Sequence, residues 1–200
     1  MASPNQVVQF LALGDWGSAT LCQSEIANQM AKTVNNSHVD NVFVAALGDN
    51  FYDNGVESVE DPKWREIFLE VYSGVHCPWH PVLGNHDWQG NVQAQLDYKF
   101  DDRWQMEALY YTKVVGKVQF FFLDTTTLCP EISEMYTDRE FSERDAEKQL
   151  SWLAYQLYIS KAEWRIVLGH YPVYSGGENG CTHEMKALEK QHVLNVLFLM

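Results

Sequence analysis

The sequence predicts an α/β fold, and three observations carry that reading. Short apolar runs recur along the 200 residues, each closed by a glycine: Val7–Leu13 before Gly14, Asn41–Leu47 before Gly48, Pro81–Leu83 before Gly84 and Arg165–Leu168 before Gly169. Unbroken runs of this length are the pattern of parallel strands buried on both faces and opening into loops. Segments with helical spacing lie between them. Finally, Tyr110–Val115 and Val118–Leu123 flank Gly116-Lys117, a two-residue link that fits a hairpin and adds antiparallel strands.

Each element follows in order. After the first strand, Val7–Leu13, comes a helix over Leu21–Val34, then the second strand, Asn41–Leu47. Pro62–Tyr72 reads as a helix because Pro is tolerated in the first turn, where its missing N–H has no partner to lose. Pro81–Leu83 is the third strand, and the hairpin follows. Cys129–Glu140 is polar and reads as the longest surface loop. In Glu143–Ser160, Leu150, Leu153, Ala154 and Leu157 recur on one helical face, ahead of the strand Arg165–Leu168. Met185–Met200 reads as a last helix, without a Gly, Asn or Pro stop signal at its end. No internal repeat, low-complexity tract or linker interrupts the chain.

Composition narrows the class. A hydrophobic content of 46% with seven Trp, ten Tyr and ten Phe supplies a core for one domain and argues against disorder. No apolar stretch reaches the ~18–20 residues of a membrane span. The N-terminal Met-Ala-Ser-Pro-Asn-Gln has no basic region before the first strand, so the expected location as written is the cytosol. With 27 acidic against 14 basic residues and a net charge of −13, nucleic acid and anionic membranes are poor partners. Cys22, Cys77, Cys129 and Cys181 show no CxxC spacing, which removes zinc-ribbon and thioredoxin readings. Asn35-Asn36-Ser37 fits a glycosylation triplet, meaningful only in a secreted chain.

The strand ends carry the chemistry. They read Gly14-Asp15-Trp16-Gly17, Gly48-Asp49-Asn50-Phe51-Tyr52, Gly84-Asn85-His86-Asp87 and Gly169-His170-Tyr171-Pro172. Taken singly, Asp15 also fits a turn or helix-capping Asp, Asp49 a loop Asp beside a packed Tyr52, Gly-Asn-His a turn, and His170 a satisfied core histidine. Together they deliver hard oxygen ligands and an imidazole to one sheet edge, as a pair of adjacent cations requires. Asp49 is suited to bridge two ions, with Tyr52 turning back to one of them. Asn85 offers an amide oxygen, His86 an imidazole acid, and Asp87 a carboxylate able to orient that imidazole. In so acidic a chain, a phosphate site draws its positive charge from metal. The chemistry read from these residues is phosphoester hydrolysis at two metals.

On these motifs, and on Leu123-Asp124-Thr125 and Gln149-Leu150-Ser151-Trp152-Leu153, the chain resembles the purple acid phosphatases of the tartrate-resistant, single-domain type, within the metallophosphoesterase superfamily. The resemblance runs from about Val7 to the end. It implies one calcineurin-like domain over residues 1–200, a sandwich of two mixed sheets flanked by helices, incomplete at the C-terminus and lacking C-terminal strands. It implies an acid phosphatase acting on small phosphomonoesters or phosphoproteins, with Asp15 and Tyr52 on Fe(III), Asp49 bridging, and Asn85 and His170 on a second ion, divalent iron, zinc or manganese. His86 would contact phosphate and protonate the leaving oxygen. The superfamily's usual first motif, Asp-x-His, is here Asp15-Trp16-Gly17, so Tyr52 takes the vacated place.

Three departures accompany the resemblance. Within these 200 residues nothing after His170 supplies the family's Gly-His-x-His. Asn179 stands where relatives place a second substrate-contacting His, with His183 four residues on as a substitute. The family's secretory signal is absent; a secreted or lysosomal location would follow if the N-terminus were incomplete. Cys129 and Cys181 sit near a disulfide of relatives. Two other readings stay open: a Zn/Mn phosphodiesterase on the same fold, which has no need of Tyr52, and a truncated, non-catalytic chain.

Overall fold

A computed structural model of the chain describes residues 7–129, 142–174, 176, 183, 185–186 and 196–199. A three-stranded sheet is ordered β1 (Gln9–Leu13), β2 (Val42–Leu47), β3 (Trp79–Val82), all parallel. The second sheet is ordered β4 (Tyr111–Val115), β5 (Val118–Phe122), β6 (Trp164–Leu168), β7 (Val196–Leu199). Within it β4 and β5 form the antiparallel hairpin, turned at Gly116 with φ +57°, and β5, β6 and β7 run parallel.

Alternation along the strands divides the core. On β2, Phe43, Ala45 and Leu47 share a cluster with Phe120, Phe122, Ile166 and Leu168 of the second sheet, whereas Val44 and Ala46 belong to a cluster with Trp16, Met30, Phe68 and Trp79. On β5, Phe121 falls instead with Leu153 and Val167. Because successive side chains on a strand point to opposite faces, the two sheets pack on each other and each carries a helical layer outside. Phe43 meets Phe120 edge-on across the sheets at 5.0 Å, and Tyr111 stacks on Phe122 at 4.6 Å.

Helix α1 (Leu21–Asn35) begins at Thr20, whose hydroxyl accepts from the amide of Gln23, and buries Gln23, Ala27 and Met30 at helical spacing. The short helices α2 (Asn85–Gln89) and α4 (Thr125–Leu128) follow strand ends, α3 (Val92–Asp97) follows α2, and α5 spans Glu143–Ile159. Among the described residues no helix is long and apolar enough to cross a membrane.

Two sequence expectations change. Pro62–Tyr72 is not an ordinary helix: Trp64–Leu69 is π-helical, with the amide of Glu70 donating to Arg65 O at 2.9 Å. The wider turn accommodates an aromatic cluster, in which Trp64 stacks on Tyr98 at 3.6 Å and Phe68 meets Trp104 at 5.3 Å. Within Met185–Met200, residues 196–199 form β7 rather than a helix. Val196-Leu197-Phe198-Leu199 is a four-residue apolar run, and short apolar runs do not distinguish a buried strand from a helix by period; β6 offers the edge that decides it. Residues 187–195 and 200 of that segment, and the Cys129–Glu140 loop beyond Cys129, lie outside the described residues.

His80 of β3 is buried between the sheets beside Phe43, Tyr111 and Phe122, its Nδ1 3.4 Å from Gln105 O. Burial, reinforced by Lys113 and opposed by the Gln105 carbonyl, lowers its pKa from 6.5 to about 4. The unfolded chain therefore binds the proton first. Stability conferred by neutral His80 is present above pH ~6.5 and lost as pH falls through about 4. Urea unfolding of wild type and His80→Phe across this range should give a difference that grows toward acid in favour of the variant.

Candidate metal centre

All four glycine-ended strands discharge their motifs at the same end of the sandwich. In open α/β sheets this edge, beyond the carboxyl ends of parallel strands, is where loops are free to form a site. The first two loops are laced together: Asp15 N donates to Gly48 O at 3.1 Å, Gly17 N to Asp49 O at 3.2 Å, and Tyr52 N to Gly17 O at 3.0 Å. Asp15 and Asp49 both sit in left-handed backbone, φ +53° and +50°, which few residues other than Gly adopt. Gly48 is required at its position, because φ is +88° and a Cβ would meet Gly84 N and His170 Nδ1 at 2.8 Å each. At Gly84 a Cβ would collide with the backbone amide and carboxylate of Asp49. The loops touch backbone to backbone, with no room for side chains between them.

The side chains then converge in two groups that share Asp49. On one side the Tyr52 hydroxyl lies 2.9 Å from Asp15 Oδ1 and 2.8 Å from Asp49 Oδ2. One phenolic proton faces two carboxylates, and partial burial followed by the charges of Asp49 and Asp15 raises the phenol above its usual pKa of 10. On the other side His170 Nδ1 lies 2.9 Å from Leu47 O, which makes it the donor and leaves Nε2 unprotonated in the neutral ring. That Nε2 is 3.2 Å from Asn85 Oδ1 and 3.5 Å from Asp49 Oδ1. Each group gathers lone pairs with too few protons among them. Asp15, Asp49 and His170 present ligand atoms within 4.8 Å of one another. A cation in each group satisfies what hydrogen bonds leave over, so the donor set fits two hard or borderline ions with Asp49 between them.

Asp87 has a different task from the expected one. It does not orient His86: the His86 ring pairs through Nδ1 with the Asp53 carbonyl and lies against Tyr52, ring centroids 4.5 Å apart. The Asp87 carboxylate points inward, fully buried, and accepts from Asn50 N at 3.0 Å, Gly84 N at 2.9 Å and Gln95 Nε2 at 2.9 Å. Asn85-His86-Asp87 is helical rather than a simple turn, and at the third position of α2 this carboxylate caps the helix it belongs to. Burial and the nearby Asp49 push its pKa up to about 6, against the pull of its amide donors.

Asn50 stands inside a motif read from sequence but received no role there. It is buried, accepts Trp16 Nε1 at 3.0 Å and donates to Val82 O at 2.8 Å, joining the first loop to the end of β3. An uncharged Asn beside two ligand candidates was the available signal. Asn179 lies outside the described residues, as does Cys181 and hence the expected pairing with Cys129. His183 is exposed and is not part of the cluster formed by Asp15, Asp49 and His170.

A family model described as calcineurin-like phosphoesterase matches residues 8–198. The chain is 36% identical over 200 residues to tartrate-resistant acid phosphatase type 5 of Sus scrofa, covering 90% of this chain and 58% of that protein. It is 36% identical over 194 residues to purple acid phosphatase 17 of Arabidopsis thaliana, covering 89% and 56%. The solved structure of GAP50, the anchor in the inner membrane complex of Plasmodium, superimposes with a TM-score of 0.74 at 29% identity, over 92% of this chain and 62% of that one. The chain thus spans less than two thirds of the length of each.

The inward Asp87 gives a clear expectation. Asp87→Ala leaves two amide N–H groups and the Gln95 amide without their buried acceptor and should cost about 3 kcal/mol of stability. His86→Ala, at a half-exposed ring, should cost less than about 1 kcal/mol. Urea unfolding of both variants measures the contrast.

Proposed function

The chain belongs to the calcineurin-like phosphoesterase family, and from that premise we propose that it hydrolyses phosphomonoesters at a dinuclear centre of Fe(III) and a second, divalent ion. The observation that carries this is the shared Asp49: Oδ2 faces the Tyr52 hydroxyl, which also reaches Asp15, while Oδ1 faces His170. Asp15 and Tyr52 would hold the ferric ion, Asn85 and His170 the divalent one, and Asp49 both. Bound there, the pair supplies an acidified water as nucleophile and neutralises charge on the transferring phosphoryl group.

The remaining work falls to the chain. His86 is half-buried at the mouth of the centre, tilted against the Tyr52 ring, with Nδ1 engaged by Asp53 O. With Nδ1–H held by that carbonyl, Nε2 is free to give its proton to the leaving alkoxide from the imidazolium form of the ring. Asp49 Oδ1 accepts the amide of His86 at 3.0 Å, so the same carboxylate that bridges the ion groups also sets the start of α2. Removing the Tyr52 proton against two carboxylates needs a strong Lewis acid, which is the support for placing the ferric ion on that side. The substrate is a small phosphomonoester or a phosphoprotein, the class on which an acid phosphatase acts.

A second reading follows from the likeness to GAP50, named as an anchor: the same fold used as a binding scaffold without turnover. Metal content separates the two. Loaded with iron, the chain should absorb in the visible range and turn violet to pink, and Tyr52→Phe should bleach it. An unchanged band in that variant removes Tyr52 as chromophore, and a chain that takes up no metal favours the scaffold.

Asp49→Ala should lose both ions by metal analysis, and Asn85→Ala the divalent ion preferentially. His86→Ala should keep both while turnover of alkyl phosphates drops about 10²-fold. The loss should shrink for nitrophenyl phosphate, whose leaving group needs little protonation. Steady-state rates on the two substrates, normalised to metal content, test this.

A further inference from the structure

The segment Leu123-Asp124-Thr125, at the end of β5, has no part in the chemistry above, yet two ligand-bearing segments are tied to it. The hydroxyl of Thr125, fully buried, accepts the amides of both His170 and Tyr171, at 3.0 and 2.9 Å. A Cβ on Gly169 would meet Thr125 Cγ2 at 2.5 Å, so the residue before His170 closes directly onto this side chain. The neighbouring Asp124 accepts Trp88 Nε1 on Oδ1 at 3.2 Å, and Trp88 lies on α2 three residues beyond Asn85. The main chain between them is itself fixed: Gln149 of α5 accepts from Asp124 N at 2.9 Å and donates to Asp124 O at 3.0 Å and to Thr127 Oγ1 at 3.0 Å.

Asn85 and His170 come from different sheets and meet only at their tips, 3.2 Å apart. Their separation is set by what both segments share: on one side the end of β2 and its loop, which holds His170 through Leu47 O and His86 N through Asp49, and on the other this pair of residues. We infer that Asp124 and Thr125 are positioning residues for the second ion: they hold Asn85 and His170 at one spacing and so set the affinity for a divalent cation that neither touches. The inference rests on the two-ion reading above. Thr125 acts through its acceptor lone pairs, Asp124 through the indole N–H that anchors α2. Residues that orient ligands in this way commonly alter metal affinity 10- to 100-fold when replaced.

The test is isothermal titration of the iron-loaded full chain with Mn2+, for wild type, Thr125→Val, Thr125→Ser and Trp88→Phe. Thr125→Val keeps shape and removes the acceptor, and should weaken Mn2+ binding about 10- to 100-fold. Thr125→Ser restores the acceptor without the methyl group and should bind within about threefold of wild type. Trp88→Phe, at a half-buried position suited to folding if Thr125→Val fails, should weaken binding in the same direction. The iron–phenolate band, which reports the Tyr52 side, should be unchanged in all three. Mn2+ affinity in folded Thr125→Val or Trp88→Phe equal to wild type overturns the inference, as does Thr125→Ser as weak as Thr125→Val, or loss of the band together with Mn2+ binding. Wild type that binds no ion overturns the two-ion reading itself, and this inference with it.

Discussion

The site depends on one buried carboxylate that never faces it. Asp87 takes amide protons from Gly84 and Asn50, which belong to two different strand-end loops, and Asn50 in turn holds Trp16 of a third. Three segments far apart in sequence are thereby pinned around a single acceptor in a region from which water is excluded. Hydrogen bonds to an ionised group are stronger than neutral ones, and here they are inaccessible to competing solvent. The strained backbone of Asp15 and Asp49 persists because this lacing over-determines it.

The same loops concentrate negative charge. Asp15, Asp49 and Tyr52 crowd together in a protein whose net charge is already −13, and the phenol keeps its proton because nothing nearby balances its loss. Protons stand where cations would relieve the repulsion. Under the proposed function, a strongly acidic chain would meet an anionic ester with positive charge imported as metal rather than encoded in Lys or Arg.

The fold and the convergence of the candidate site residues were legible because their signals are contiguous. A strand end, a glycine and a ligand candidate occupy successive positions in each motif, and Gly48 and Gly84 have the backbone and contact constraints their positions suggest. Asp15, Asp49, Tyr52, Asn85 and His170 converge as the spacing led one to expect. What escaped was non-local. Asp87 looked like a partner for its neighbour His86, and only the approach of Asn50 and Gln95 from elsewhere in the chain turns it inward. The π-helical turn at Trp64–Leu69 answers to aromatic neighbours distant in sequence, and β7 exists because β6 has an edge to fill. Neither condition is written in the local pattern.

The division of ligands between the sheets has a consequence for how the molecule holds together. Asp15, Asp49, Tyr52 and Asn85 follow strands of the first sheet, and His170 alone follows one of the second, its ring reaching Leu47 O across 123 positions of sequence. Any ion bound by both Asp49 and His170 would then be a rivet between two layers otherwise joined by apolar packing and a few hydrogen bonds, such as that from the Tyr111 hydroxyl to Pro81 O. By mass action it adds to their cohesion in proportion to the logarithm of its free concentration. Resistance to unfolding would then become a property shared with the surrounding solution: a metal-poor medium would loosen the seam between the sheets, and a metal-rich one would close it.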